Sequence, residues 1–145
     1  MNDKNLMLDD RIYEEINNLC LFGDNLAAEG RYEQAIAEYN KAWKLIPEPK
    51  NEWEASTWIL AAIADACFFI NKFKSARQAL EYAMICPNGL GNPFLHLRLG
   101  QVLFEIDELN LAADELTRAY MGAEEKIFEK EDPKYLSFLR TKIII

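Results

Sequence analysis

The side chains of this sequence that could perform catalysis are one histidine, three cysteines and many carboxylates. His96 is the only histidine of the 145 residues and lies in the stretch NPFLHLRLG. A catalytic histidine acts as a general base or activates a nucleophile, which must then lie within reach. No nucleophile occurs at a recognisable spacing, so we expect His96 to be a packed structural residue. Glycine-rich phosphate loops, HExxH and nucleophile-elbow motifs are also missing from the sequence.

The cysteines and carboxylates do not form the pattern of a metal or catalytic site. Cys20, Cys67 and Cys86 are an odd number, lie far apart and each follow the apolar pattern of their own segment. This arrangement favours buried thiols over disulfides or metal ligands. Carboxylate pairs at i, i+4 are common on the solvated face of any acidic helical protein. The sequence therefore predicts a protein that is not an enzyme and holds no metal or cofactor.

The charge balance of the chain limits the kinds of partner that it can bind. Lysine and arginine number 16 against 24 aspartate and glutamate residues, which gives a net charge of −8 at pH 7. Such a surface repels nucleic-acid phosphates and anionic membranes, and it favours neutral or basic partners. The N-terminal stretch MNDKNLMLDDR has no apolar run typical of a signal peptide, and no segment has the length of a membrane span. We therefore expect a cytoplasmic protein that binds neither nucleic acid nor membrane.

The chain contains a three-fold internal repeat. A small residue recurs at Gly23, Ala64 and Gly100, with steps of 41 and 36 residues. The same two steps relate three further sets of positions, which are Ala35, Ala76 and Ala112, then Tyr39, Leu80 and Leu116, and then Ala42, Ala83 and Ala119. Independent positions that share both steps indicate a repeat protein. The two alanines on one stripe of each unit predict that another helix approaches closely there.

Each repeat has the pattern of two antiparallel helices. Apolar residues recur at spacings of three and four in each half of the unit, which is one face of a helix. Short polar pairs separate the halves, at Gly30-Arg31, Asn71-Lys72 and Asp107-Glu108. Asn92-Pro93 and Asp132-Pro133 are typical helix starts, with an N-cap residue before a proline. The third unit has no terminal proline, so we expect its second helix to continue through MGAEEKIFEK.

These units resemble tetratricopeptide repeats. Small residues in both helices and a terminal proline define that family, and the first unit matches it at Gly23, Gly30, Tyr32, Ala35, Tyr39, Ala42 and Pro47. The resemblance implies an all-α fold, a right-handed α-solenoid of three helical hairpins with a C-terminal capping helix. It divides a single domain of residues 1–145 into repeats at roughly 16–49, 57–90 and 93–130 and a capping helix at roughly 132–142.

In tetratricopeptide proteins the first helix of each repeat lines a concave groove, and the resemblance places the partner-binding residues of this chain there. The residues predicted to bind a partner are Asp24, Trp58, Asp65, Phe68, Phe94, Arg98, Gln101 and Glu105. Aromatic anchors dominate the energetics of interfaces, and the neighbouring acids suit a basic partner. The alternative is that the aromatic residues pack against adjacent helices and the acids are ordinary surface.

The resemblance also separates functional classes. Chaperone-binding members of the family hold a peptide's terminal carboxylate with Lys, Asn and Arg, and this chain offers only Arg98 at those positions, so we expect no such binding. The stretches NEWEASTWILAAIADACFF, GLGNPFLHLRLGQVLFE and EDPKYLSFL resemble small free-standing bacterial tetratricopeptide proteins, many encoded beside toxins. This implies an immunity protein that binds and neutralises a polymorphic toxin domain with a basic surface. The alternatives are a secretion chaperone of the type III translocator class, which is similar in size, acidity and repeat number, and a general scaffold.

Overall fold

The computed structural model describes residues 8–145, and within that range the chain is helical and contains no strand. The α-helices of this range are α1 (Asp10–Ala28), α2 (Tyr32–Leu45), α3 (Glu54–Phe69), α4 (Phe73–Ala83), α5 (Pro93–Glu105), α6 (Leu109–Ala123) and α7 (Pro133–Arg140). Consecutive helices pack as the pairs α1–α2, α3–α4 and α5–α6, and each pair packs on the next. The protein is an all-α solenoid of three helical hairpins followed by a terminal helix, which confirms the predicted fold class.

The three hairpins turn in the same way, because each first helix is followed by a residue in the left-handed region. That residue is Gly30 in the first hairpin, Asn71 in the second and Asp107 in the third, with φ values of 78°, 61° and 67°. Glycine adopts this conformation readily, and asparagine and aspartate tolerate it better than other residues. The next residue donates its backbone N–H to a carbonyl five positions earlier, at 2.9, 2.8 and 2.9 Å. The polar pairs between the helices therefore turn the chain as predicted.

The recurring small residues are buried where the helices pack together. The six alanines of the repeat pattern have no exposed surface: Ala35, Ala42, Ala76, Ala83, Ala112 and Ala119. In the first hairpin, a Cβ added to Gly23 would lie 2.6 Å from Cε1 of Tyr39. In the third, a Cβ added to Gly100 would lie 2.6 Å from Cδ2 of Leu116. The repeat thus places small residues where a larger side chain would separate the helices.

The end of the third hairpin differs from the sequence prediction. Helix α6 ends at Ala123 and does not continue through residue 130, so that expectation is wrong. Glu124 has a φ of 60°, and the chain then forms a 3₁₀ helix at Glu125–Phe128. This turn brings the ring of Phe128 into the apolar cluster of the last repeat, where it is 5% exposed. Burial of a large ring favours the turn over a straight extension of the helix.

Helix α7 covers the end of the solenoid, as predicted. Asp132 caps it by accepting the backbone N–H of Lys134 at 2.9 Å. Tyr135 and Leu139 are buried and pack in one cluster with Leu116 of the third hairpin. The terminal helix therefore keeps the apolar face of the last repeat out of water.

Candidate binding groove

The residues predicted to bind a partner belong to α1, α3 and α5, which neighbour one another along the solenoid. We call the surface that these three helices share the odd-helix face. The repeat steps of 41 and 36 residues relate equivalent positions of the three helices. Cavities of about 280, 300 and 520 Å³ occur along this face within the described residues. Exposed residues of the predicted site line all three, since Trp58 lines both the cavity of 280 Å³ and the cavity of 300 Å³ and Phe94 lines the cavity of 520 Å³.

One of these cavities lies between α1 and α3, and we call it the α1–α3 cavity. Its volume is about 280 Å³, and it is lined by Asn17, Cys20, Leu21, Asp24, Tyr39, Trp58 and Ala62. The hydroxyl group of Tyr39 donates to Oδ1 of Asp24 at 2.6 Å, which fixes the carboxylate in the cavity wall. Trp58 remains 38% exposed. Two predicted site residues, one acidic and one aromatic, thus meet in one cavity.

Asp24 gives the α1–α3 cavity a negative charge that raises the pKa of neighbouring groups. Burial and, to a smaller degree, the charge of Asp24 raise the pKa of the Cys20 thiol from 9.0 to about 11. Burial and the hydrogen bond to Asp24 raise the pKa of the Tyr39 hydroxyl. Both groups therefore stay protonated at neutral pH, so Cys20 is not an activated nucleophile.

A second of these cavities lies between α5 and the chain that follows α6, and we call it the α5 cavity. Its volume is about 520 Å³, and it is lined by Asp65, Phe94, Leu97, Arg98, Ala123, Lys126, Ile127, Glu129, Lys130 and Glu131. Phe94 is 68% exposed. One wall comes from the segment that turns back after α6, at Lys126 and Ile127. These two residues were not predicted from the sequence, because α6 was expected to continue as a helix.

Arg98 connects several of the predicted site residues. Its Nε donates to Oδ1 of Asp65 and its Nη1 to Oε1 of Gln101, both at 2.8 Å. Its guanidinium carbon lies 4.4 Å from the ring centroid of Phe68, a cation–π distance. Oε1 of Glu131 accepts from Nη1 of Arg98 at 3.3 Å and from Nε2 of Gln101 at 2.7 Å. The positive charge of Arg98 is therefore balanced by two carboxylates of its own chain.

Gln101 and Glu105 bond to the chain's own C-terminal segment. Gln101 is fully buried. Oε2 of Glu105 accepts from the hydroxyl group of Tyr135 at 2.6 Å and from Nζ of Lys134 at 2.9 Å. Burial and the hydrogen bond to Glu105 raise the pKa of the Tyr135 hydroxyl. In this structure the two predicted site residues hold the C-terminal segment on the last repeat.

His96 uses both ring nitrogens inside the fold. Its Nε2 accepts the backbone N–H of Gly91 at 2.9 Å, so Nδ1 carries the proton and donates to Oε1 of Glu115 at 2.6 Å. The ring is buried and connects α5 with α6 and with the loop before α5.

Within residues 8–145, no three His, Cys, Asp or Glu side chains are grouped to hold a metal ion. The helices of the same range include none with the length and hydropathy of a membrane span.

Known structures share this fold. The chain is similar to the type III secretion translocator chaperone SycD of Yersinia enterocolitica, with a TM-score of 0.67 and 15% sequence identity over 89% of this chain and 90% of that chain. It is also similar to the second TPR domain of human RPAP3, in complex with the HSP70 peptide SGPTIEEVD, with a TM-score of 0.66 and 18% identity over 90% and 96%. No protein-family profile matches the sequence, and no curated protein sequence matches it. At these identities the similarity shows a tetratricopeptide-like fold.

Proposed function

We propose that this protein is a binding module that holds a segment of another protein on the odd-helix face. The observation that carries the proposal is the exposure of two aromatic side chains that line cavities of this face. Trp58 is 38% exposed in the α1–α3 cavity, and Phe94 is 68% exposed in the α5 cavity. Aromatic side chains in pockets are typical anchors and contribute most of the binding energy of an interface.

The dimensions of the cavities favour an extended segment of the partner. Separate cavities of about 280 and 520 Å³ each have room for one or a few side chains, and an extended chain presents its side chains separately. The translocator chaperone SycD has a similar fold over almost its whole length. A chaperone-like role, in which the chain holds an extended stretch of a client protein, is therefore the leading function.

An immunity protein for a polymorphic toxin is the second candidate. It is supported by the resemblance to free-standing bacterial tetratricopeptide proteins and by the net charge of −8, which speeds association with a basic toxin domain. Such a protein covers a folded domain and needs a wider contact surface than the cavities. Both candidates act without catalysis or a cofactor, in the cytoplasm, and bind neither nucleic acid nor membrane.

An acidic peptide suits neither the α1–α3 cavity nor Arg98, although Lys126 and Lys130 line the α5 cavity. Arg98 is the cation among the predicted site residues, and it already pairs with Asp65 and Glu131 at 2.8 and 3.3 Å. A carboxylate from outside would have to displace these two groups, and it would be repelled by Asp24. We therefore expect no binding of SGPTIEEVD, the peptide in the RPAP3 complex.

The test is a pull-down from the source organism, followed by binding measurements with the purified partner. The bait is the wild-type chain beside the double variant Trp58→Ala/Phe94→Ala. Leu111→Ala is the matched control, because Leu111 is 43% exposed on α6, outside the odd-helix face. We expect the double variant to raise the Kd about tenfold or more and the control to leave it unchanged. Equal affinity of all three proteins would overturn the proposal.

Limited proteolysis of the bound partner distinguishes the two candidate functions. A client held in an extended form is protected over one short stretch, while the rest of it is cleaved. A neutralised toxin domain stays protected as a folded unit. A partner that is cleaved throughout, with no protected stretch, would contradict both.

A further inference from the structure

Ala62 and Arg98 occupy equivalent positions in successive first helices. The step of 36 residues relates Ala62 on α3 to Arg98 on α5, and the step of 41 residues relates Asp24 on α1 to Asp65 on α3. Each pair of neighbouring odd helices therefore forms a slot that has an aspartate on one side and residue 62 or 98 on the other. The slot between α3 and α5 has an arginine, and the slot between α1 and α3 has an alanine.

The slot between α3 and α5 is filled by Arg98. Its Nε lies 2.8 Å from Oδ1 of Asp65, and its guanidinium carbon lies 4.4 and 5.1 Å from the ring centroids of Phe68 and Phe69. The Arg98 side chain is 13% exposed. A carboxylate and aromatic faces therefore hold a guanidinium group at this position within the chain.

The slot between α1 and α3 has the carboxylate but not the arginine. The Tyr39 hydroxyl group orients the carboxylate of Asp24 by donating a hydrogen bond of 2.6 Å to its Oδ1. The small side chain of Ala62 leaves the α1–α3 cavity open, and Trp58 contributes an aromatic ring to its wall. No lysine or arginine of residues 8–145 forms an ion pair with Asp24. The positions of Phe68 and Phe69 are held by Ala27 and Ala28 in this slot, so the aromatic ring comes from Trp58 instead. The cavity therefore presents a carboxylate and an aromatic ring to a guanidinium group from outside the chain.

We propose that the α1–α3 cavity binds an arginine side chain of the partner, with its guanidinium group on Asp24 as Arg98 lies on Asp65. The inference rests on the proposed function and names the chemistry of the partner, an extended segment that carries an arginine. Arginine suits the cavity better than lysine, because its planar group donates two parallel N–H bonds to a carboxylate and stacks on aromatic faces. Its aliphatic stem packs along Leu21 and Ala62, the apolar part of the wall.

The test is a titration of the intact ¹⁵N-labelled protein with the capped tripeptide acetyl-Gly-Arg-Gly-amide. Analogues with lysine or citrulline in place of the arginine are titrated beside it. The indole N–H signal of Trp58 reports on the α1–α3 cavity and on the cavity of about 300 Å³ that Trp58 also lines, so the Asp24 and Ala62 variants assign the shift to one of them. The signals of Trp43 and Trp53 are internal controls. We expect a saturable shift of the Trp58 signal with arginine, weaker binding of the lysine peptide, and no saturable shift with citrulline, which lacks the charge.

Three variants of the protein make the test specific to the slot. Asp24→Asn removes the charge at constant shape, and we expect it to lower the affinity for the arginine peptide about tenfold or more. Ala62→Arg fills the cavity with an arginine of the chain itself, as Arg98 fills the next slot. We expect this variant to abolish the Trp58 shift without unfolding the protein. Glu14→Gln, an exposed acid on the same helix as Asp24, is the matched control and should leave the affinity unchanged.

Several outcomes would overturn the inference. They are an unchanged affinity in Asp24→Asn, equal binding of the lysine and arginine peptides, and shifts spread over the acidic surface without saturation at Trp58. Each leaves the proposed function intact if the purified partner still depends on Trp58 and Phe94. If the arginine peptide binds saturably but the affinity for the partner does not depend on Trp58 and Phe94, the proposed function is contradicted and the arginine site is retained.

Discussion

Gly23 on α1 and Tyr39 on α2 lie so close together that a Cβ on the glycine would stand 2.6 Å from the tyrosine ring. This contact holds the Tyr39 hydroxyl group against Asp24, the next residue of α1, at 2.6 Å. The small residue that permits helix packing therefore also fixes the carboxylate of the candidate site. The equivalent residues of the later repeats, Leu80 and Leu116, have no hydroxyl group, so this arrangement belongs to the first repeat.

Replacing Gly23 by alanine should lower the free energy of unfolding by about 1–3 kcal/mol, because the new methyl group overlaps the Tyr39 ring. Urea denaturation measures the loss. Asn25→Ala is the control, since Asn25 is exposed on the same helix. Equal stability of the two variants would contradict the close contact.

Replacing Ala42 by leucine should also destabilise the protein, by about 1–3 kcal/mol or more, because the position is fully buried and has no room for three extra carbons. Thermal denaturation measures this change. Ala28→Leu inserts the same side chain at an exposed position of the first hairpin and should have little effect. A variant at position 42 that melts like the wild type would mean that the helices do not meet at the alanines.

Removal of the terminal helix should lower the stability of the protein or cause it to self-associate. A chain that stops at Glu131 loses the buried Tyr135 and Leu139 and exposes the apolar end of the last repeat to water. Light scattering and urea denaturation measure the two effects. Deletion of Ile144 and Ile145, which are exposed, is the control and should be neutral. A monomeric truncated chain of unchanged stability would show that α7 is not a cap.

The spacing of residues predicted most of this fold because the repeat is a local pattern. The steps from Ala35 to Ala76 and Ala112 located three hairpins, and each of these alanines is fully buried. The end of α6 was not predictable in this way. Its position depends on the burial of Phe128 against residues distant in the sequence, and helical periodicity carries no signal for such a contact.

The candidate site was predictable in part. The resemblance to tetratricopeptide repeats placed Asp24 and Trp58 on one groove, and the structure brings them to one cavity. The pairing of Arg98 with Glu131 was not predictable, because it depends on how the segment after α6 turns back. The small side chain of Ala62 could be interpreted only by comparison with Arg98, which fills the equivalent position in the next repeat. The sequence contains this equivalence, because the repeat step relates residues 62 and 98.

The stability of the native protein should fall between pH 9 and 11 through Cys20. Its pKa is raised from 9.0 to about 11 in the folded state, so the unfolded chain loses the thiol proton first as the pH rises. The contribution is fully present below pH 9 and is lost as the pH passes 11, on the order of 1–2 kcal/mol. Urea denaturation of the wild type and Cys20→Ala should show curves that are parallel from pH 6 to 8 and converge above pH 9. Curves that stay parallel to pH 11 would contradict the prediction.

Charge and ring in the α1–α3 cavity should act differently on the rate constants of partner binding. Asp24→Asn should slow association and reduce its salt dependence, because the charge steers the encounter with a basic partner, and it should also speed dissociation, because the ion pair with the partner's arginine is lost. Trp58→Ala should mainly speed dissociation and lower the binding free energy by about 2 kcal/mol or more, as expected for an anchor. Asp65→Asn is not a clean steering variant, because it removes the partner of Arg98 within the fold.

Surface plasmon resonance at two salt concentrations separates these effects of Asp24 and Trp58. Leu111→Ala is the control for a truncated apolar side chain, and circular dichroism checks that each variant is folded. Only Asp24→Asn should change the association rate, because long-range attraction acts before contact, whereas the ring contributes only after it is buried by the partner. Folded variants that keep the wild-type rate constants would show that the partner binds elsewhere. The acidic segment around Glu124, Glu125 and Glu129, where α6 ends, would then be the next surface to test.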